Sequence, residues 1–467
     1  MPSIEDSSLD LADIQGFIIR GYTHPYARHF TLRIDDADAA KSFIGSLVSG
    51  STDTPQITTA APWSERPLYL LNIGFTYQGI ASLKLPPTTF DTNLNYQSFF
   101  NGAVTQAPIV NDTGESAPEN WIEPFNTANA SNLHIILSLY TDTGDDREKM
   151  SEVIRPLFAS SCTELAACDG FDFPHGKIHF GYTDGISQPT IKGGPPRPPD
   201  SQAPVEAYNV ILTDDQNAPY NLPTPPRLGL NGSFGAFRIL EQDVAGFEDF
   251  LQQQSSQIDP ETLAAKMCGR WRTGTPLTLS PDTGTPDPPI PEDQLDNYDY
   301  VPSKYSPDAF NDKYGVRCPI GSHMRRSNPR SEFVSGGPVN THRIVRRAIS
   351  YGPPYDPNNP HDGIPRGLIG YFICAVLANQ FEFLMSTWVN TGTFTSFLPQ
   401  NSKDPLLGSN DPASSILDIP YLDQNNKVQH LSITNFERFI TTRGGAYCFL
   451  PGIAALGYIA TAPLSDA

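Results

Sequence analysis

Apolar and polar residues alternate along His29–Ile34 (HFTLRI), the period-2 pattern of a half-buried strand. Asp36 follows, then Ala39, Phe43 and Leu47 at the spacing of one helix face; an aspartate at such a junction is a good N-cap. Leu68–Phe75 (LYLLNIGF) and Thr76–Leu85 (TYQGIASLKL) repeat the scheme, with Thr76 as the cap. Leu133–Tyr140 (LHIILSLY) predicts another strand, followed by a helix near Asp145–Ala159. Phe30, Asp36 and Phe43 are spaced by six and seven residues, and Phe237, Asp243 and Phe250 repeat those spacings. Two strand–aspartate–helix units in a chain of 467 residues predict two related α+β domains.

Proline marks the connections. Gly193–Pro204 (GGPPRPPDSQAP) to Asn221–Arg227 (NLPTPPR) is too proline-dense for interior strands or helices and reads as surface loop. Pro281–Gln294 (PDTGTPDPPIPEDQ) is a second such insertion. The expected domains are 1–225 and 226–467, with the boundary near Leu222–Pro226.

Charge narrows the functional classes. With 31 Lys and Arg against 51 Asp and Glu, the net charge is −20, which repels phosphate backbones and anionic membranes. Neither nucleic acid nor a membrane is therefore an expected partner. No apolar run is long enough to span a bilayer. Met1–Asp10 is acidic and polar, unlike a signal peptide, so the location is intracellular, or extracellular if a leader was removed. Six cysteines lack CxxC or CxxCH spacing, which excludes the usual c-type haem attachment and zinc-ribbon patterns. Cys162 and Cys168 could pair, although the burial habit of cysteine favours free thiols.

Three segments carry candidate chemistry. His323 lies in CPIGSHMRRSNPR, with Arg325, Arg326 and Arg330 beside it. A lone histidine is more often a structural hydrogen-bonding residue than a ligand, but guanidinium groups here could receive the carboxylates of a prosthetic group. In HRIVRRAISYG, alternation puts Arg343, Val345 and Arg347 on one strand face and Arg346 on the other, with Ile344 and Ala348. This predicts that Arg346 points toward an apolar interior, where it needs an anionic partner. Asp184, in GYTDGISQPT, is by itself a turn residue; the alternative is an acid among glycines that let backbone approach a planar ligand.

These segments, with QFEFLMSTWVN and DPLLG, stand in the order and approximate spacing of the dye-decolourising peroxidases. The chain resembles the longer, fungal-type members from Leu11–Tyr22 (LADIQGFIIRGY) through GRWRTGTPLTLSP to the C-terminal half. The resemblance implies an α+β fold of two ferredoxin-like domains of the dimeric α+β barrel type, with one haem b held mainly by the second. It implies that His323 is the proximal iron ligand, Asp184 the distal acid and Arg346 the distal arginine. Arg330 would lie near a haem propionate, Gly185 and Leu368 against the haem, and Asp404 behind His323. Tyr351 and Trp388 match positions that carry radical chemistry in some members, as surface aromatics through which electrons leave for bulky donors. The implied reaction is peroxide oxidation of haem to a ferryl state, followed by one-electron oxidation of dyes, phenols and other aromatic donors. The alternative is a haem or porphyrin carrier with little turnover. An aspartate as distal base, with a pKa of about 3.9 when unperturbed, predicts higher activity in mildly acidic than in neutral solution. Two departures stand out. Tyr182 replaces the usual Phe, and Gly370 stands where some relatives have Phe, a loss expected to enlarge the distal cavity.

Overall fold

The computed structural model describes residues 9–465 except 89, 91–93, 199 and 305; the leader question at residues 1–8 lies outside the described residues. The first predicted unit forms as β1 (Tyr26–Ile34) and α1 (Ala37–Ser49), with the Asp36 carboxylate accepting Ala39 N–H at 2.9 Å. β2 (Tyr69–Phe75) leads into a short helix capped by Thr76, which accepts Gly79 N–H at 3.1 Å. β3 (Ile135–Thr141), α2 (Gly144–Phe158) and β4 (Cys162–Phe171) complete the first half. The second half opens with β5 (Ser233–Gln242) and α3 (Val244–Gln253), where Asp243 accepts Gly246 N–H at 2.9 Å. Two further helices follow, α4 (Pro260–Cys268) and α5 (His323–Ser327). Next come β6 (Val345–Tyr351), β7 (Gly367–Cys374), a π-helical stretch over 378–389, the hairpin β8 (Ile416–Leu422) and β9 (Val428–Thr434), and β10 (Ile440–Leu450).

Eight strands close into one antiparallel barrel in the order β1-β3-β2-β10-β5-β7-β6-β4. Each half, numbered for itself, has the ferredoxin-like order 4-1-3-2, and each half's edge strands meet the other's. The joints pair Phe75 with Phe449 and Phe171 with Ser350. Closure removes the exposed edges that either four-stranded sheet would otherwise present. It also gives both halves one shared core, in which Phe30 and Leu32 belong with Phe237, Ile369 and Tyr371. β1 is buried on both faces because barrel interior lies on one side and covering helices on the other, so its polar positions are enclosed too.

The expected boundary at 225/226 falls inside the connection between β4 and β5. That connection is not only surface loop: Val205 and Val210–Leu212 are fully enclosed. It also holds short helical turns at Ala207–Asn209 and Pro226–Gly229, so proline density excluded long regular elements there but neither helical turns nor burial. All six cysteines are free thiols. Among the described residues, no helix is long and apolar enough to cross a membrane.

Along β5 and β7, alternate residues divide between two environments. Phe237, Ile239, Ile369 and Tyr371 fill the barrel, whereas Arg238, Leu240, Leu368 and Phe372 line a cavity outside it. α5, β6, the π-helical stretch and the loop over 176–189 contribute further walls of that cavity, whose volume is about 550 Å³.

Candidate functional site

His323, the first residue of α5, enters the cavity from the helical side. Its Nδ1 lies 2.8 Å from Oδ2 of Asp404, which is fully buried. The other Asp404 oxygen accepts the N–H groups of Leu406 and Leu407, both at 2.9 Å. Burial acts to raise the Asp404 pKa, but His323 and these amides outweigh it and hold the group below the usual carboxylate range. An ionised carboxylate only accepts, so Nδ1 carries the proton and Nε2 keeps its lone pair for the cavity. Burial works against protonation of His323, and Asp404 outweighs it, leaving the imidazole pKa above its ordinary value.

Asp184 sits on a tight hairpin. Gly181 turns it with φ of +83°, Ile178 N–H donates to Tyr182 C=O at 2.9 Å, and Asp184 N–H donates to Gly176 C=O at 2.9 Å. Gly185 has φ of +79°, a conformation that favours glycine, and a Cβ there would stand in open space at the cavity wall. Arg346 Nη1 donates to Asp184 Oδ1 at 3.2 Å, and Nη2 to Ser187 C=O at 3.0 Å. Burial pushes the Asp184 pKa up, while Arg346 and the Gly185 amide more than reverse this, so the carboxyl lies below its ordinary value. Asp184 and Arg346 are enclosed by protein yet open to the cavity, their side chains 39% and 35% exposed.

The expectation that Arg346 points into an apolar interior is therefore corrected: it faces the cavity. Arg347, its neighbour on the other face of β6, donates from Nε to Phe17 C=O at 2.6 Å. Burial and neighbouring Arg197 push the Arg347 pKa down to about 9. Arg330 lines the cavity as well. Its Nη1 donates to Tyr298 C=O at 2.6 Å and to Asp296 C=O at 3.1 Å, and Nη2 is paired with the Asp296 carboxylate. With its guanidinium over the Tyr298 ring at 3.8 Å, Arg330 is already engaged within the protein. Arg343, also in the cavity wall, keeps a buried Nη1 with no hydrogen-bond partner.

Leu368 lines the cavity as expected. Gly370 is not a trimmed aromatic position: with φ of +152°, its Cβ would come within 2.1 Å of Arg347 O, in the backbone of β6. Phe372, two residues on, supplies the aromatic wall of that strand. Tyr182 is buried, and its hydroxyl donates to Ala264 C=O of α4 at 2.7 Å, so the extra oxygen ties the hairpin to a helix. Neither Trp388 nor Tyr351 is an open surface ring. Trp388 is 3% exposed and packs against His342 and Phe383, which stack with centroids 3.8 Å apart; Tyr351 is half-buried at the end of β6.

Two functional neighbours escaped the sequence analysis. The Gln188 side chain accepts Arg346 N–H and donates to Arg346 C=O, both at 3.1 Å; it lies within the same GYTDGISQPT motif. Asp172 lines the cavity, and burial together with the Asp184 charge pushes its pKa up to about 6. No local pattern around Asp172 marks it.

The residues present suit a haem. An imidazole Nε2 faces a cavity with walls of Leu368, Phe372, Leu384 and Leu406, Gly185 leaves its rim open, and Arg343 offers an unpaired donor for a carboxylate.

Residues 13–172 match the family model of the DyP dimeric alpha+beta barrel domain. Peroxidase 2 of Mycetinis scorodonius is 28% identical over 470 residues, covering 96% of this chain and 87% of that protein. The structure of an ancestral D-type dye-decolorizing peroxidase superposes with a TM-score of 0.81 at 28% identity, covering 97% of this chain and all of that one. A dye-decolorizing peroxidase in complex with 2,6-dimethoxyphenol superposes with a TM-score of 0.78, again at 28% identity, 97% of this chain and all of that one. Residues 13–172 carry the barrel domain of the dye-decolourising peroxidases and nearly the whole chain shares their fold; the protein is a peroxidase, an oxidoreductase that uses hydrogen peroxide.

Proposed function

We propose that this chain binds one haem b through His323 and uses hydrogen peroxide to oxidise phenols and other aromatic donors. The observation that carries the reading is the single cavity holding both the His323–Asp404 pair and the Asp184–Arg346 pair. The family's members are haem enzymes, and a relative has been captured with 2,6-dimethoxyphenol. Bound haem supplies the two-electron reduction of peroxide and the one-electron oxidation of donors.

The chain's own residues handle the protons. Asp184, kept ionised by Arg346, takes the proton from one peroxide oxygen and returns it to the other, which leaves as water. Arg346 then stabilises the negative charge that develops as the O–O bond breaks. Asp404 fixes the His323 tautomer and makes its Nε2 a stronger donor. Arg343, with its free Nη1, is the better placed receptor for a haem carboxylate than the engaged Arg330. One peroxide and two donor molecules yield two waters and two donor radicals. A porphyrin carrier needs neither Asp184 nor Arg346, and their pairing favours catalysis over that alternative. The test is peroxide-dependent oxidation of 2,6-dimethoxyphenol by the haem-loaded protein. Many turnovers per haem support the reading; a stable Soret band without turnover means a carrier.

A further inference from the structure

A second cleft, of about 260 Å³, lies away from the cavity already described. Its walls are Tyr314, Ile320, Phe397, Leu398 and Val428, and Asp418 and His430 stand at its polar end. Tyr314 and Phe397 are substantially exposed, meet edge to face at 6.4 Å, and continue into exposed Phe333, which stacks on Phe397 at 5.3 Å. Large apolar rings left in water at one spot mark an interaction site more often than a solvated surface.

The polar end has a defined donor and acceptor. His430, on β9, places Nδ1 2.8 Å from the Asp418 carboxylate of β8. Asp418 is 12% exposed and His430 56%. Because the ionised carboxylate only accepts, Nδ1 carries the proton and Nε2 is an acceptor beside aromatic walls. A flat ring bearing one hydroxyl donor matches this combination of surfaces. Small-molecule pockets run from about 300 to 1,000 Å³; this cleft, at about 260 Å³, lies just below that range and suits one ring rather than a polycyclic dye. A second copy of the chain is the poorer occupant, since each copy carries a net charge of −20 and like charge opposes association.

We propose that this cleft is a second binding site for a single-ring phenol, whose hydroxyl donates to His430 Nε2 while its ring packs between Phe397 and Val428. The proposal rests on the reading that aromatic donors are this enzyme's substrates. Ile320, in the cleft wall, is three residues before His323, so a donor bound here lies on the imidazole side of the molecule.

The test is equilibrium binding of 2,6-dimethoxyphenol to the haem-loaded protein without peroxide, followed by titration and by saturation-transfer NMR. Binding therefore stands or falls separately from turnover. Wild type is expected to show a site that Val428→Trp removes, with an affinity loss of tenfold or more at that site. His430→Ala is expected to weaken the same site about three- to tenfold, the worth of one net hydrogen bond. The methylated analogue 1,2,3-trimethoxybenzene, with no hydroxyl, should bind wild type and His430→Ala equally. Unchanged binding in both variants overturns the proposal. So does sedimentation showing that Val428→Trp abolishes a dimer while phenol binding stays intact. If Val428→Trp does not fold, the His430→Ala and analogue comparison decides by itself.

Discussion

Gln188 clasps the backbone of Arg346, accepting its N–H and donating to its C=O, both at 3.1 Å. The hairpin motif that carries Asp184 is thereby fastened to the strand that carries Arg346, 158 residues later. Gln188→Ala removes both bonds and is expected to slow the peroxide step by up to about 30-fold, given net hydrogen-bond values near 1 kcal/mol each. Rapid mixing with peroxide at fixed pH measures this. An unchanged rate constant would mean that Ser187 and Asp184 suffice to hold the arginine.

Asp404 orients His323 and is itself held by two backbone amides. Asp404→Asn keeps the volume but removes the negative charge behind Nδ1. Loss of such a partner typically costs about 10–100-fold in affinity or activity, so haem should leave the variant at least ten times faster. Transfer of haem to an excess of scavenger protein gives the rate directly.

Asp172 supplies a stability test against pH. Its pKa is about 6 in the folded protein, pushed up by burial and by Asp184, against about 3.9 for a free aspartate. A carboxyl raised in this way penalises the folded state once pH passes about 4, and the penalty is complete above about 6. At lower pH both states keep the proton and no penalty remains. Asp172→Asn should therefore raise the melting temperature by about 1–2 °C at pH 7.5 and leave it unchanged at pH 4. Equal shifts at both pH values would assign the gain to something other than charge.

Gly370 crosses β6 so closely that a methyl group would meet Arg347 O at 2.1 Å, and its φ of +152° disfavours any other residue. Gly370→Ala should cost at least about 2 kcal/mol, from overpacking and backbone strain together. A urea midpoint equal to wild type would show that the two strands part without cost.

Much of this architecture was legible because it is local. Asp36 and Asp243 mark helix starts by the bonds they make three residues ahead, so the repeated spacing revealed two similar halves. Closure of the barrel was not legible in the same way: Phe75 meets Phe449 and Phe171 meets Ser350 across hundreds or scores of residues, with no local signature. The placement of Arg346 went astray because alternation separates two strand faces without saying which faces a core and which a cavity. Arg330 was assigned by motif, whereas its partners Asp296 and Tyr298 lie just beyond the Pro281–Gln294 insertion, in a segment that no local pattern marks. Asp404 was found through resemblance, and its 2.8 Å bond to His323 depends on contact between segments 81 residues apart.

The central claim is that Asp184 carries the peroxide proton. The most direct measurement is the second-order rate constant for peroxide with haem-loaded wild type and Asp184→Asn between pH 3 and 8. Arg346 holds the Asp184 pKa below its ordinary value, so the wild-type rate should be level from neutral into mildly acidic solution, not higher there as an unperturbed aspartate suggested, and fall only below about pH 4. Asp184→Asn should keep its haem and lose about 10²–10⁴-fold across the whole range. A variant that binds haem and reacts with peroxide at the wild-type rate would contradict the account.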